Sequence, residues 1–140
     1  MIHQDVVQIQ TSGRGTYAID TVIRDVLGKS RLRRGVVNLF VQHTSCSLII
    51  TENADPDVRR DLEALAADWA PDGDSRYRHD LEGPDDMAAH ARSVITHTSL
   101  SIPFSDGGLL LGTWQGLFLW EHRQAGHLRS LVVTVMGEAR

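Results

Sequence analysis

Apolar residues follow two different periods along this chain, and the switches between them mark its elements. Ile19, Val22, Ile23, Val26 and Leu27 fall at the i, i+3, i+4, i+7 and i+8 positions of one helical face. Gly28, which tolerates positive φ, is the expected stop. A second helix is predicted between Asp55 and Pro71, where Val58, Leu62, Leu65, Ala66 and Trp69 form a stripe. Asp55 supplies a side-chain cap there and Pro56 suits the first turn. After Gly83 and Pro84 a third helix is predicted from Asp85 to Ile95, with Asp85 and Asp86 at the positive end of its dipole. In that helix Met87, His90, Ala91 and Val94 share a face, so the histidine is expected to turn inward with its apolar neighbours.

Period two, or a short β-branched and aromatic run, appears elsewhere. Strands are predicted at Asp5–Gln10, Val36–Gln42, Ser47–Glu52, Leu100–Phe104, Leu109–Thr113, Leu117–His122 and Leu131–Met136, with a turn at Asp106, Gly107 and Gly108. The strands either side of His43, Thr44 and Ser45 suggest a hairpin. Leu131–Met136 is apolar at both parities, the mark of a central strand covered by helices or by another subunit. Helices set between runs of strands, rather than alternating with them, indicate an α+β fold. At 140 residues the chain is read as a single domain spanning 1–140.

Composition narrows the class. A formal net charge of −4 argues against a nucleic-acid partner, and the basic run Lys29–Gly35 is expected to be a solvated connection. The single cysteine, Cys46, leaves no intrachain disulfide, and the N-terminal residues lack a basic lead and an apolar core. The longest apolar stretch, Leu109–Trp120, is interrupted by Gly112, Gln115 and Gly116 and is shorter than the roughly 20 residues that span a bilayer. A cytoplasmic protein without a membrane partner is the expectation.

Three groups of residues carry candidate chemistry. His90 is joined by His79, beside Asp80, and by His43 at the presumed hairpin tip. Three imidazoles can hold a transition metal with a position left open, although these lack the i, i+4 spacing of helical zinc motifs. Asp80 or Glu82 can orient a ring from behind. At the end of the Gly112–Arg123 segment, Glu121 and His122 must point to opposite faces of a strand, which makes Glu121 with Arg123 the coherent pair. Thr51, Glu52 and Asn53 close a strand and can bind or cap. A hairpin would leave His43 and Glu52 roughly 20 Å apart, so only an oligomer with sites between chains would unite them. Each group also has an ordinary structural reading, as a packed imidazole, a rim ion pair or a cap.

The segments HTSCSLIITENADPDVRRDLE, YRHDLEGPDDMAAHARS, SLSIPFSDGGLLLGTWQGLFLWEHR and VTVMGE resemble the YjbQ family, whose members have been linked to a secondary thiamine-phosphate synthase activity. The likeness runs over nearly the whole chain from Leu32 onward. It implies a largely antiparallel, curved sheet and a homotrimer. It also implies a divalent metal, zinc or magnesium, on His43, His79 and His90, with no organic cofactor. The activity joins a pyrimidine diphosphate to a thiazole phosphate and expels pyrophosphate. Arg123, Glu121 and Asp80 would then act in catalysis, and Trp114 would stack on a ring. Thr44, Ser45, Thr113, Gln115, Glu52 and Asn53 would bind this phosphorylated small-molecule substrate. Two other readings stay open: metal-dependent hydrolysis of a phosphorylated molecule, and a module that only sequesters one.

Overall fold

Eight strands and three helices make up the computed structural model, which describes residues 1–140. In chain order they are β1 (Ile2–Gln10), β2 (Gly15–Ala18), α1 (Asp20–Ser30), β3 (Leu32–Val41), β4 (Cys46–Glu52), α2 (Pro56–Trp69), α3 (Asp86–Ile95), β5 (Ser99–Ser105), β6 (Gly108–Leu109), β7 (Gln115–Glu121) and β8 (Leu128–Ala139). All strand pairs are antiparallel, in a five-stranded sheet ordered β1-β8-β3-β5-β6 and a three-stranded sheet ordered β2-β7-β4. The α+β class and the curled antiparallel sheet expected from the sequence are what the structure shows.

The main core lies between the two sheets. Val37, Leu39 and Val41 of β3, Leu131, Val133 and Val135 of β8, and Ile102 and Phe104 of β5 meet Cys46, Leu48, Leu117 and Leu119 of the smaller sheet. Helix α1 closes this layer with Ile23, Val26 and Leu27. The other face of the small sheet carries Ile49, Phe118 and Trp120, which pack with Ala66 and Leu62 of α2. Strands β4 and β7 of the small sheet therefore bury residues at both parities, because both are covered on two sides.

Four expectations change. The strands around His43–Ser45 do not form a hairpin: β3 pairs with β5 and β8, whereas β4 pairs with β7. Residues 42–45 carry the chain from one sheet to the other, and two successive apolar strands look the same in sequence whether they pair or stack. Helix α1 runs through Gly28 and ends at Arg31, which takes the left-handed conformation at φ 57°. Leu109–Thr113 shrinks to the two-residue β6, and the chain stays irregular until Gln115.

The fourth change bears on the site. Helix α3 buries Asp86, Ala88, Ala89, Arg92 and Ser93, so Met87, His90, Ala91 and Val94 form its outer side. Small residues allow close approach to the sheet, and the buried Arg92 is neutralised by Glu63 at 2.8 Å. Hydrophobicity alone picked the wrong face because the inward one is held by an ion pair. Strand β8 is central, as expected, but only its Leu131, Val133 and Val135 side is fully buried. No helix is long and apolar enough to cross a membrane.

Candidate functional site

Asp55 caps α2 as the sequence indicates, its carboxylate accepting from the Asp57 N–H at 2.9 Å. Asp85 stands at the equivalent place before α3 but spends its carboxylate elsewhere. It accepts from Nε of Arg123 and from the Gln124 N–H, both at 2.9 Å. Arg123 then reaches Asp86 Oδ1 with Nη1 at 2.9 Å and donates from Nη2 to the Glu82 carbonyl. One guanidinium thus ties the end of β7 to the first turn of α3 and fixes the Asp86 carboxylate in place.

The second oxygen of Asp86 is the centre of the cluster. His79 Nε2 lies 2.6 Å from Oδ2 and His90 Nε2 lies 3.1 Å from the same atom. The two rings are 5.3 Å apart, and one ligand atom from each of the three residues falls within 4.8 Å of the others. Asp86 is buried, while His90 and His79 are progressively more open. Burial works against ionisation of Asp86, but the hydrogen bond from His79 and the charges of His90 and Arg123 outweigh it and hold the carboxyl below its usual range.

Proton counting sharpens this geometry. His90 Nδ1 is 2.8 Å from the Thr44 carbonyl, which can only accept, so Nδ1 carries a hydrogen. In a neutral ring Nε2 is then a bare lone pair aimed at a carboxylate. Such an arrangement is stable only with a positive centre between the two, either a second proton on the ring or a cation. A backbone carbonyl holding the far nitrogen of a histidine is also the usual support of a metal ligand. Two imidazoles and a carboxylate are a donor set that suits zinc or a neighbouring transition metal better than magnesium, which prefers oxygen throughout.

His43, expected as the third ligand, stands outside this cluster. Its Nε2 accepts from the Ser130 N–H at 2.8 Å, and its Nδ1 faces Arg129 at 3.4 Å. It nevertheless shares a cleft of about 530 Å³ with His90, Thr44, Phe40, Ser93 and Val94. Asp80 is exposed and bonds neither imidazole, and Asp86 takes the place assigned to it. Glu121 is not the partner of the Arg123 side chain. Its carboxylate is fully buried and forms a bidentate pair with Arg129, with Thr11 Oγ1 donating at 2.8 Å. Burial raises the Glu121 carboxyl, and the hydrogen bonds from Arg129, the Arg123 N–H and Thr11 bring it down below its ordinary value. Ser45 is part of this buried network, accepting from Arg129 Nη2 at 3.0 Å.

The remaining candidates gather at the far end of the small sheet. Cys46 pairs with Glu121 and Glu52 with Gln115, so the length of β4 separates the two ends by roughly 20 Å. There Asn53 donates to the carbonyls of Thr113 and Gln115, Gln115 Oε1 accepts from Gly112, and Glu52 accepts from the N–H groups of Ala54 and Asp55. Trp114 is largely exposed beside them. A single chain does not bring this group to the histidines.

One buried contact imitates a nucleophile and its base. Ser47 Oγ lies 2.8 Å from His122 Nε2, but neither residue is accessible. Thr96 Oγ1 donates to Ser47 Oγ at 2.6 Å and shares its hydrogen with the Arg92 carbonyl at 2.7 Å. Closed off from any substrate, the pair serves the packing and not nucleophilic attack.

Asp86 and Arg129 were missed in the sequence. Asp86 and His90 sit at i, i+4, a spacing visible in the chain once the carboxylate is counted as a ligand. No local signal marks Arg129, whose side-chain partners come from two other segments, the 42–45 link and the end of β7.

The UPF0047 protein YjbQ-like family matches residues 5–138. The chain is 50% identical over 136 residues to the UPF0047 protein sll1880 of Synechocystis, covering 97% of this chain and 92% of that protein. It is 38% identical over 139 residues to the UPF0047 protein YjbQ of Escherichia coli O157:H7, covering 99% and 100%. Among solved structures, the conserved hypothetical protein TT1486 of Thermus thermophilus superposes with a TM-score of 0.82 at 34% identity, covering 91% of this chain and 97% of that one. A YjbQ/UPF0047 protein of Clostridium acetobutylicum gives 0.85 at 28% identity, covering 94% and 99%.

Proposed function

We propose, for a chain that belongs to the UPF0047 YjbQ-like family, that His79, Asp86 and His90 bind a transition metal and that the protein is a metal-assisted enzyme acting on a phosphorylated small molecule. The observation that carries this reading is the convergence of two imidazoles on one buried carboxylate oxygen, with His79 Nε2 at 2.6 Å and His90 Nε2 at 3.1 Å from Asp86 Oδ2 and the far nitrogen of His90 held by the Thr44 carbonyl. A metal there supplies Lewis-acid polarisation of a phosphoryl oxygen. Arg123 holds Asp86 in its ligating orientation, and Thr44 holds His90 in its own. The cleft beside His90, with Phe40 and Val94 on its walls, accepts the organic part of a substrate.

Hydrolysis of a phosphorylated molecule needs only the parts that one chain assembles. Condensation of a pyrimidine diphosphate with a thiazole phosphate is the second reading, favoured by the exposed ring of Trp114, and it needs that ring from a neighbouring copy. We place that neighbour, in a homotrimer, on the outer face of the larger sheet. Ile2, Met136 and Val36 form one row there, Val6, Val132 and Phe40 another, and no helix covers them. Phe40 also lines the cleft, so a second copy on this face adjoins the site.

Elemental analysis of protein purified without chelator tests the metal: near one equivalent is expected for the wild type and almost none for Asp86→Asn. A wild type without metal, or a variant with full content, refutes it. Loss of phosphate from one precursor alone supports hydrolysis, whereas pyrophosphate formed only when both precursors are present, by a trimer in solution, selects condensation.

A further inference from the structure

His43 enters the cleft from the link between β3 and β4, and hydrogen-bond bookkeeping fixes its proton. The Ser130 N–H donates to Nε2, so that nitrogen is a lone pair and the neutral ring carries its hydrogen on Nδ1. Turning the ring over would put Cε1 against the Ser130 N–H and lose the bond. The hydrogen-bond contact of Nδ1 is Arg129 Nη1 at 3.4 Å, and an arginine has no acceptor to offer. Two donors therefore face one another.

Arg129 is 97% buried, being only 3% exposed. Its Nε and Nη2 are used on Glu121 and Ser45, while Nη1 meets nothing but the ring of His43. Burial, then the charge of Arg129, push the His43 pKa below its ordinary value, so a second proton does not relieve the conflict. A buried guanidinium N–H and an imidazole N–H without an acceptor are the converse of the His90 arrangement.

We infer that His43 and Arg129 form a binding subsite for a phosphoryl oxygen of the ligand, so that His43 acts as a hydrogen-bond donor to substrate and not as a metal ligand. The oxygen sits to one side of the two nitrogens, within hydrogen-bond distance of both. Glu121 balances the charge of Arg129 and His43 is neutral, so the subsite offers two oriented N–H dipoles at the wall of the cleft, which favours an oxygen whose negative charge is shared. His90 lines the same cleft, so one phosphoryl group can approach both the metal cluster and this pair. The identification of the oxygen as phosphoryl rests on the function proposed above; the donor pair does not.

The test uses chelator-treated, full-length protein with inorganic phosphate as the probe. Long-range nitrogen–proton NMR is expected to find His43 in the Nδ1–H tautomer, with a resonance that shifts and saturates as phosphate is added. His43→Phe is expected to weaken phosphate binding at least about tenfold, and His43→Asn, which restores an N–H near the Nδ1 position, to stay within about threefold of wild type. Metal content is unchanged in both variants, and Asp86→Asn still binds phosphate. An Nε2–H tautomer, no saturable shift, a His43→Phe variant that binds as wild type does, or loss of phosphate binding in Asp86→Asn overturns the subsite. An absent metal in the wild type would refute the metal reading and leave the subsite standing.

Discussion

His122 gives the fold a built-in sensitivity to acid. It is fully buried, and its pKa is pushed down to about 3, first by burial and then by the charges of Arg92, Arg14 and Arg129. In the unfolded chain the same group titrates near 6.5. Between those values the unfolded state binds one more proton than the native state, so stability falls as pH falls, by about 1.4 kcal/mol per unit. The contribution is essentially complete at pH 7. At pH 5 about 2 kcal/mol of it is gone, a large share of the net stability of a domain this size. His122→Gln removes the titration and keeps an N–H for Ser47 Oγ. Urea unfolding followed by tryptophan fluorescence at pH 7, 6 and 5, at one protein concentration, measures the effect. The variant loses packing and is expected to be weaker at pH 7. The wild type, however, should lose about 2 kcal/mol more than the variant between pH 7 and pH 5. Equal losses in the two proteins, within about 0.5 kcal/mol, would refute a buried neutral imidazole at this position.

Three further outcomes test other parts of the structure. Glu121→Gln leaves Arg129 buried without its counter-charge, and a loss of about 3–5 kcal/mol is expected in urea unfolding; a loss below about 1 kcal/mol would mean the pair is solvated. Burial pushes the Cys46 thiol up to about 12, so at pH 8 a thiol reagent should label native protein at least about a thousandfold more slowly than urea-unfolded protein, and rapid native labelling would contradict its place in the core. A Cβ on Gly35 would lie 1.9 Å from the Met136 carbonyl oxygen, so Gly35→Ala should cost more than about 2 kcal/mol; an unchanged midpoint would show that β3 and β8 do not approach as closely as described.

Much of the architecture was legible because local periodicity and local chemistry suffice for it. The stripe on α1, the Asp55 cap and Pro56 start of α2, and the opposed faces of Glu121 and His122 each involve residues within a few positions of one another. The hairpin failed because partner choice between strands is not a local property: Val36–Val41 and Cys46–Glu52 are equally apolar whether they pair or lie in different sheets. The face of α3 failed for a related reason. Arg92 is acceptable inside only because Glu63, on another helix, meets it there.

The candidate site divides in the same way. The chain alone put His79 and His90 in one short segment, supplied the acids at the start of α3, and offered the i, i+4 pairing of Asp86 with His90. Packing decided the rest. It sent the Glu121 carboxylate to Arg129 and the Arg123 guanidinium to Asp85 and Asp86. It left His43 beside a second donor and set Trp114 a strand's length away. Hydrogen-bond partners drawn from distant segments are chosen by which buried groups still lack a mate, and that choice exists only once the sheets have closed.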